Sequence, residues 1–231
     1  MKYNAADYHP LTVPDMPPYE PPMTPYLSVL YQDEDLLFLD KPSGLLTVPG
    51  RGEGMQDCLE SRVQQQFPAA TIVHRLDMET SGVVVMTRHK DAHREISRQF
   101  EMRETEKVYE ALVWGHMTEE RGEVDEPLIC DWPNRPMQKI CYERGKKSVT
   151  RYEVLGIEGD YTRVALYPVT GRSHQLRVHM LHLGHPIIGD TLYARGPALA
   201  ASDRLCLHAK TLSVTHPESK EKLTLSAPVG F

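Results

Sequence analysis

Short runs of alternating or continuous apolar residues dominate the chain from position 26 onward. The segments 26–32 and 35–40 form one such pair, and a second pair, at 70–77 and 83–87, encloses the motif HRLDMETSG at 74–82. Runs of four to eight residues with β-branched side chains, separated by glycine and proline, are typical of β-strands. By the same criterion we expect strands at 107–115, 148–157, 161–169, 205–216 and 221–226.

Helical spacing is confined to three segments, 55–67, 90–103 and 170–186. The second has apolar residues near a period of 3.6 with basic residues between them, which predicts an amphipathic helix. In the third, Ser173 is a good helix cap and the glycine and proline at its end are a stop signal. The apolar positions of the second segment are Ala92, Ile96, Phe100 and Met102.

These elements predict an α+β fold. Few strands alternate strictly with helices, so a mixed or largely antiparallel sheet with flanking helices is favoured over a doubly wound parallel sheet. No internal repeat or composition break follows residue 26, and we expect one compact domain over 26–231. The first 25 residues hold seven prolines and no periodic pattern, which predicts an extended, poorly packed arm.

Composition indicates a globular protein, because 231 residues with 40% hydrophobic content can bury a sizeable core. The chain has no apolar stretch of roughly 18 residues and no signal-peptide pattern, so we expect a cytoplasmic location without membrane contact. The four cysteines form no C-x-x-C pair. Reduced thiols are therefore expected rather than a zinc ribbon or a disulfide framework.

The net charge of −6 does not by itself suggest a nucleic-acid partner. Basic residues nevertheless concentrate in the segment 134–151, where Glu143 is the single acid. This basic segment fits either a phosphate-binding surface or a solvated hairpin. Its basic residues are Arg135, Lys139, Arg144, Lys146, Lys147 and Arg151.

Arg177 falls on the apolar side of the helix expected at 170–186, within about 100° of Leu176 at 100° per residue. A guanidinium that faces the core needs a carboxylate partner, because burying it alone costs several kcal/mol. Asp77 is the best candidate, since its loop lies between two buried strands. An arginine-paired carboxylate stays ionised and can act as a nucleophile or general base, but a purely structural ion pair has the same pattern.

Histidines 174, 179, 182 and 185 raise a metal alternative, since imidazoles one turn apart can share a zinc ion. Support for it is thin, because the H-E-x-x-H pattern is absent: Met180 and Leu181 separate His179 from His182. We therefore expect no metal and place His179, His182 and Gln175 on a polar face of the helix.

Tyr109 alternates with Ala111 and Val113 on one face of an expected strand. A core tyrosine is the ordinary interpretation, and an aromatic platform for a nucleobase is the functional one. The loop KPSGLLTVPG at 41–50 lacks the G-x-x-x-x-G-K-[ST] spacing, so no nucleotide cofactor is expected.

Four segments, in order, resemble the successive motifs of the RluA-type pseudouridine synthases: KPSGLLTVPG, HRLDMETSGVVV, KVYEALVWG and TGRSHQLRVHMLHLGHPIIGD. The resemblance runs from about Tyr26 to Phe231. The segment PLICDWPNRPMQKICYERGKKSVT is similar to that of the members that act on both ribosomal and transfer RNA.

The resemblance implies the pseudouridine synthase fold with a catalytic cleft, and a cofactor-free isomerisation of uridine to pseudouridine. Asp77 matches the catalytic aspartate, Arg177 the arginine that salt-bridges it, and Tyr109 the tyrosine that stacks on the uracil. Arg75 matches an arginine proposed to fill the gap left by the flipped base. We expect further substrate contacts from His74, Arg172 and Leu176, and RNA contacts from Arg135, Lys139, Lys146 and Lys147.

The family often has an N-terminal S4-type RNA-binding domain, and 25 proline-rich residues are too few for one. Specificity is then expected from the catalytic domain of a monomer, acting on a 23S ribosomal RNA loop and a transfer RNA anticodon stem-loop. Two other functions stay open at this point. One is an RNA-binding module without catalysis, in which Asp77 and Arg177 are only structural, and the other is a metal-dependent hydrolase.

Overall fold

The computed structural model describes residues 18–231, which divide into two compact units. One unit, called here the aspartate unit because it carries Asp77, comprises Pro18–Val108 and His208–Phe231. The other, the arginine unit, carries Arg177 and comprises Tyr109–Leu207. The predicted domain 26–231 thus contains parts of both units.

The helices and strands are short and follow one another closely along the chain. The first strands are β1 (Val29–Gln32), β2 (Leu36–Lys41), β3 (Thr71–Ile72), β4 (Ser81–Thr87), β5 (Glu106–Trp114) and β6 (Arg121–Asp125). They are followed by β7 (Leu128–Cys130), β8 (Gln138–Ile140), β9 (Val149–Glu158), β10 (Tyr161–Pro168), β11 (Leu207–Thr215) and β12 (Lys222–Ser226). The helices are α1 (Leu59–Gln64), α2 (Lys90–Met102), α3 (Gln175–His182) and α4 (Gly196–Ala200).

The aspartate unit is built around β4, whose seven residues are all buried. β2 pairs antiparallel along the whole of one edge of β4, and β1 pairs antiparallel with β2. Because β2 fills that edge, the two other partners share the opposite one: β3 pairs antiparallel with one end of β4, and β11 pairs parallel with the other. β12 pairs antiparallel with β11.

The arginine unit has antiparallel pairing throughout its strands. β5 pairs with β10, β10 with β9, and β9 with β6, while β7 and β8 form a separate two-stranded sheet. Helix α3 packs on this small sheet through a buried apolar cluster. The cluster consists of Leu128, Met137, Val178, Leu181, Leu192 and Tyr193.

The sheet pairings bear out the predicted fold class. The parallel pairing of β4 with β11 among antiparallel pairings makes the sheet mixed and largely antiparallel, and the few short helices make the fold α+β. Most predicted strands are found with bounds shifted by no more than three residues. The segment 70–77 is an exception, because only Thr71 and Ile72 are strand and the rest forms the motif loop.

Three expectations about the helices are wrong. Ser173 does not cap α3, because the cap position is His174, in the left-handed conformation. Gln175 and His179 do not lie on a polar face, since α3 is buried from Gln175 to Leu181. Met102 is 62% exposed, because α2 buries Ala92, Ile96 and Gln99 and ends at Met102.

The predicted proline-rich arm lies mostly outside the described residues, which begin at Pro18. Its last part is held by Arg62 of α1, whose guanidinium donates to the carbonyls of Pro22 (2.8 Å) and Tyr26 (3.1 Å). Asp57 pairs with the same guanidinium at 2.7 Å, and this contact lowers the pKa of the Asp57 carboxyl. The buried guanidinium of Arg62 thus ties residues 22–26 to α1.

All four cysteines are free, as expected. Among residues 18–231, no helix combines the length and the apolar character that a bilayer crossing requires.

Candidate active site

The loop that carries Asp77 is a tight turn between β3 and β4. The Thr80 N–H donates to the Asp77 carbonyl at 3.1 Å, which closes the turn. Asp77 is half-buried, whereas Arg75, two residues earlier, is exposed. The turn therefore holds the predicted catalytic carboxylate partly within the protein and presents the predicted base-replacing arginine outward.

A second loop, 41–47, holds the Asp77 loop from the side. The Thr47 hydroxyl donates to the Leu76 carbonyl at 2.7 Å and accepts from the Leu76 N–H at 3.2 Å. The Ser43 hydroxyl donates to the Glu79 carbonyl at 2.7 Å. The KPSGLLTVPG motif thus supports the Asp77 loop through backbone contacts.

Lys41 lies at the centre of this support and is fully buried. Its ammonium donates to the carbonyls of Pro42 (3.0 Å), Leu45 (2.7 Å) and Met78 (3.0 Å). The Gly44 N–H donates to the same Met78 carbonyl. Because Met78 follows Asp77 directly, this buried cation fixes the backbone beside the carboxylate.

His74 fixes the other end of the motif. Its Nε2 accepts the Val85 N–H at 3.1 Å, on the edge of β4 between the residues that pair with β3 and those that pair with β11. The ring stacks on Phe100 with centroids 4.6 Å apart. Burial, with a smaller effect of the Lys107 charge, lowers the pKa of His74 to about 3. The imidazole is therefore neutral, with its proton on Nδ1.

The residues Thr-Ser-Gly after the turn join β4 to β11. Ser81 donates to His208 Nδ1 at 2.8 Å, and His208 Nε2 donates to the Ala227 carbonyl at 3.3 Å. Gly82 has φ +112°, and a Cβ there would lie 2.3 Å from the Ala209 carbonyl oxygen. Only glycine lets β11 approach the strand that leads out of the Asp77 loop.

In the arginine unit, Arg177 is buried, as predicted, and its charge is paired with Asp190. Arg177 Nε donates to Asp190 Oδ2 at 2.7 Å and Nη2 donates to Oδ1 at 2.6 Å, with both side chains at most 2% exposed. Asp190 Oδ1 also accepts the N–H groups of Leu192 and Tyr193, each at 3.0 Å. This bidentate pair fixes the plane of the guanidinium.

Tyr193 supports the same arginine from a second direction. Its ring lies 5.2 Å from the Arg177 guanidinium carbon, within the range of a cation–π contact. Its hydroxyl accepts the Gln138 N–H and is bonded to His174 Nδ1, each at 2.7 Å. Helix α3, its Asp190 partner and the β7–β8 sheet are therefore linked by one polar network.

Gln175 and His179 are buried because they complete a hydrogen-bond network with the neighbouring strands. Gln175 Nε2 donates to Thr150 Oγ1 at 2.9 Å, and its Oε1 accepts from the Thr170 hydroxyl at 2.7 Å. His179 Nε2 donates to the Glu126 carbonyl (3.1 Å), so Nδ1 accepts from Thr150 (2.9 Å). Burial lowers the pKa of His179 and keeps the ring neutral.

These contacts also bear on the metal alternative. Both ring nitrogens of His179 are engaged, and His185 Nδ1 is bonded to the Trp114 carbonyl at 2.9 Å. Within residues 18–231 the one group with metal-like spacing belongs to the aspartate unit and includes none of these histidines. That group is Asp33, Asp35 and His216.

The other predicted residues of the arginine unit lie in different environments. Tyr109 is half-buried on β5, opposite Leu166 of β10. Leu176 is 7% exposed and lies in the interior. Arg172 is exposed, and its Nε donates to the Lys147 carbonyl at 3.3 Å, which connects the α3 motif with the basic segment.

Three basic residues of the segment 134–151 form ion pairs with acidic residues that lie outside the segment. The pairs are Lys139 with Asp131 at 2.9 Å, Lys147 with Asp125 at 3.6 Å and Arg151 with Glu123 at 2.8 Å. These acids come from β6 and from the turn after β7. Arg135, Lys139, Lys146 and Lys147 are all exposed.

The structure brings His74, Arg75 and Asp77 together in one unit, and Tyr109, Arg172, Leu176 and Arg177 in the other. The predicted contact of Asp77 with Arg177 would join the two units and stays a prediction. Sequence reasoning missed Asp190 and Lys41, although both lie in quoted motifs. The apolar residues directly before Asp190 could have indicated its role. An acidic residue that follows buried residues is expected to be buried too, and a buried carboxylate needs a cationic partner.

Comparison with known proteins decides the family. The family model described as RNA pseudouridylate synthase matches residues 35–182, which include Asp77, Tyr109 and Arg177. The chain belongs to this family. It is an RNA pseudouridine synthase and therefore an isomerase, and the predicted resemblance is confirmed.

Relatives and solved structures agree with this assignment. The chain is 55% identical over 214 residues to the dual-specificity RNA pseudouridine synthase RluA of Escherichia coli (strain K12), covering 92% of this chain and 98% of that one. It is 57% identical over 191 residues to RluA of Yersinia pestis, covering 82% and 93%. Human RNA pseudouridylate synthase domain containing 1 has a similar structure, with a TM-score of 0.75, 30% identity and 90% and 86% coverage.

Proposed function

We propose that the chain isomerises uridines in stem-loops of both ribosomal and transfer RNA, namely a 23S ribosomal RNA loop and a transfer RNA anticodon stem-loop. The support is that relatives 55–57% identical, each covered over more than nine-tenths of its length, carry the name dual-specificity RNA pseudouridine synthase. The segment 127–150, which resembles that branch of the family, forms β7, β8 and the exposed basic surface.

We propose Asp77 as the catalytic carboxylate and Arg177 as its partner. The observation that carries this assignment is the bidentate Arg177–Asp190 pair, which fixes the guanidinium in a buried position. A guanidinium has five N–H donors, and Asp190 accounts for two of them, so a second carboxylate can share the same cation. A pairing with Asp77 would hold the catalytic carboxylate in a fixed orientation.

The reaction leaves no net change in composition. The bond between uracil N1 and the sugar C1′ breaks, the base rotates, and a bond between C5 and C1′ forms, while C5 loses a proton and N1 gains one. A carboxylate beside the glycosidic carbon can stabilise or capture the sugar, as glycosidase carboxylates do. Because all atoms of the product come from the substrate and water, the chain needs no cofactor.

The target uridine must leave its stack before this chemistry can occur. Extruding a nucleotide costs a few kcal/mol, which an inserted side chain and a stacking surface can offset. The exposed Arg75 would fill the vacated position, and Tyr109 would stack on the uracil. His74 would act indirectly, because its neutral ring holds the Arg75–Asp77 loop on β4.

The deciding experiment compares Asp77→Asn with Asp91→Asn, a change at an exposed position on α2. Each protein is incubated with unmodified transcripts of transfer RNA and of 23S ribosomal RNA, and pseudouridine is measured by nucleoside mass spectrometry. We expect Asp77→Asn to lose the activity on both RNAs, with RNA binding and melting temperature nearly unchanged. Asp91→Asn should behave as the unaltered protein.

Other outcomes would contradict separate parts of the proposal. Activity retained by Asp77→Asn would refute the assigned carboxylate. Modification of one RNA only by the unaltered protein would refute the dual substrate. A stability loss in Asp77→Asn without any change in modification would instead favour a structural role for this residue.

A further inference from the structure

Trp132 is an exposed aromatic residue at the tip of the β7–β8 sheet. It begins a short 3₁₀ turn, Trp132–Asn134, and is 66% exposed. The guanidinium carbon of Arg135 lies 4.4 Å from its ring centroid, so one face of the indole carries a stacked cation. With one face covered, this degree of exposure requires that the opposite face is open to solvent.

The tip is held rigidly by local hydrogen bonds. Asp131 accepts from Asn134 Nδ2 at 2.8 Å and from Lys139 Nζ at 2.9 Å. The Asp131 N–H donates to the Met137 carbonyl, and the Asn134 N–H donates to the Asp131 carbonyl. A rigid aromatic side chain loses little conformational entropy when a ligand stacks on it, which favours binding.

The tip is also anchored to the helix that carries Arg177. Met137 is 3% exposed and packs in the same apolar cluster as Val178 and Leu181 of α3. The Gln138 N–H donates to the Tyr193 hydroxyl, whose ring contacts the Arg177 guanidinium. Trp132 therefore has a fixed position relative to the predicted catalytic arginine within the arginine unit.

We propose that Trp132 and Arg135 form a stacking platform for an unpaired nucleobase of the RNA substrate, outside the target uridine. This inference rests on the proposed function and identifies how the protein would recognise the single-stranded part of a loop. Aromatic rings and guanidinium planes are the surfaces on which unpaired RNA bases stack. Stacking tolerates any base, which suits an enzyme with more than one RNA substrate.

The surroundings of Trp132 favour RNA over a protein partner. Pro133, Asn134 and Arg135 follow it, and no other large apolar residue of the segment 131–140 is exposed. Arg135 adds positive charge beside the indole, and Lys139, which is paired with Asp131, is exposed on the same hairpin. The next exposed aromatic residue along the chain is Tyr142, which follows β8. An exposed indole beside a cationic side chain fits a nucleobase and its phosphate, whereas a protein interface would need a larger apolar area.

The test uses Trp132→Ala and Trp132→Phe, with Leu155→Ala as the control. Leu155 is a 50% exposed apolar residue of β9 in the same unit. The probes are the anticodon-arm transcript and the 23S ribosomal RNA transcript used to measure activity. We expect Trp132→Ala to raise Kd and KM by about 10- to 100-fold with kcat unchanged, since a stacked base contributes that much to affinity. Trp132→Phe should retain most of the affinity, and Leu155→Ala all of it.

A spectroscopic measurement gives an independent readout. In a Trp114→Phe background Trp132 is the only tryptophan, because the chain contains two. We expect the anticodon arm to quench its fluorescence, and a blunt duplex of the same stem without unpaired bases to quench it much less. Equal quenching by both RNAs, or an unchanged Kd and KM for Trp132→Ala, would overturn the platform.

These outcomes are separate from those of the proposed function. If the unaltered protein formed no pseudouridine in either RNA, the proposed function would fail, whereas the quenching would still decide the platform. If the unaltered protein were active and Trp132→Ala were equally active at low RNA concentration, only the platform would fail.

Discussion

At the residue scale, the structure depends on buried charges that are fully engaged. Arg177 pairs with Asp190, and Lys41 donates to three carbonyls beside the Asp77 loop. A buried charge with all its hydrogen bonds contributes little net stability, but removal of one partner leaves the other uncompensated. The conformation around the predicted catalytic groups is therefore sensitive to single substitutions of these buried charged residues.

Asp190→Asn tests this sensitivity, because asparagine keeps one oxygen for the Leu192 and Tyr193 N–H groups but removes the charge and one of the two acceptors for the Arg177 guanidinium. We expect the free energy of unfolding in urea to fall by about 3–5 kcal/mol, since the buried Arg177 cation loses its bidentate carboxylate partner. Asp125→Asn, which affects a half-exposed pair with Lys147, should change it by less than about 1 kcal/mol. An equal loss of unfolding free energy in the two variants would contradict the prediction that breaking the buried ion pair costs more than breaking the exposed one.

His74 provides a prediction on pH. The pKa of this imidazole is about 6.5 in an unfolded chain and about 3 in the folded protein, because burial disfavours the charged ring. Between these values the unfolded chain binds more protons, so stability falls as the pH is lowered from 6.5 towards 3. In His74→Gln this contribution disappears, and the slope of unfolding free energy against pH should fall by up to about 1.4 kcal/mol per unit.

Urea unfolding of both proteins at several pH values between 4 and 7 measures these slopes. The other histidines are common to the two proteins, so the difference isolates residue 74. Parallel curves would show that the His74 ring is protonated as easily in the folded protein as in the unfolded chain.

The sequence predicted the burial of Arg177 because the helical period placed it inside an apolar arc. It did not identify Asp190, because the pair is thirteen positions apart, with Arg177 in α3 and Asp190 in the irregular chain beyond it, and no local period connects them. For the same reason Gln175 and His179 were placed on a polar face. Their partners lie on β9 and next to β6, and polar residues that find such partners are buried as readily as apolar ones.

At the scale of elements, β4 organises the Asp77 loop. On the edge of β4 opposite β2, β3 pairs at one end and β11 at the other. Between them, His74 Nε2 accepts the Val85 N–H. The loop therefore begins and ends on the same buried strand edge. The sequence predicted both flanking strands, but the parallel pairing of β4 with β11 joins residues more than 120 positions apart and has no local signal.

Gly82→Ala tests the close approach of β11 to β4. A Cβ at Gly82 would clash with the Ala209 carbonyl, and φ +112° is unfavourable for alanine. We expect a loss of at least about 2 kcal/mol in unfolding free energy, together with lower activity, because the Asp77 loop shares this strand. Gly156→Ala is the matched control, since a Cβ there meets nothing within 4 Å. Similar unfolding free energies in the two variants would show that β11 does not need a glycine at position 82 to pack against β4.

The sequence did not predict β6, β7 and β8. Their apolar residues are few, because β6 buries only Val124 and the β7–β8 sheet relies on α3 to cover Leu128 and Met137. Strands this short are stabilised by tertiary packing rather than by their own propensity. The basic residues between them could be found from the sequence, whereas their acidic partners Asp125 and Asp131 could be recognised only from the fold.

At the scale of the whole molecule, a net charge of −6 must be reconciled with an RNA substrate. Long-range attraction of the entire protein for RNA is weak or repulsive, so the local charge of the basic segment has to provide the phosphate contacts. Several of its cations are already paired with acids at the surface. Such pairs are held loosely and are screened by salt, so RNA phosphates can replace the acids.

The salt dependence of RNA binding tests this local mechanism. Each phosphate contact adds about 0.7 to 0.9 to the slope of log Kd against log salt concentration. We expect Lys146→Ala/Lys147→Ala to make this slope shallower by about 1 to 2 and to weaken binding of both RNAs at low salt. Lys90→Ala/Lys222→Ala, an equal loss of charge on the aspartate unit outside the basic segment, should leave the slope unchanged. Equal changes in both double variants would mean that RNA responds to net charge alone and that the basic segment has no specific role.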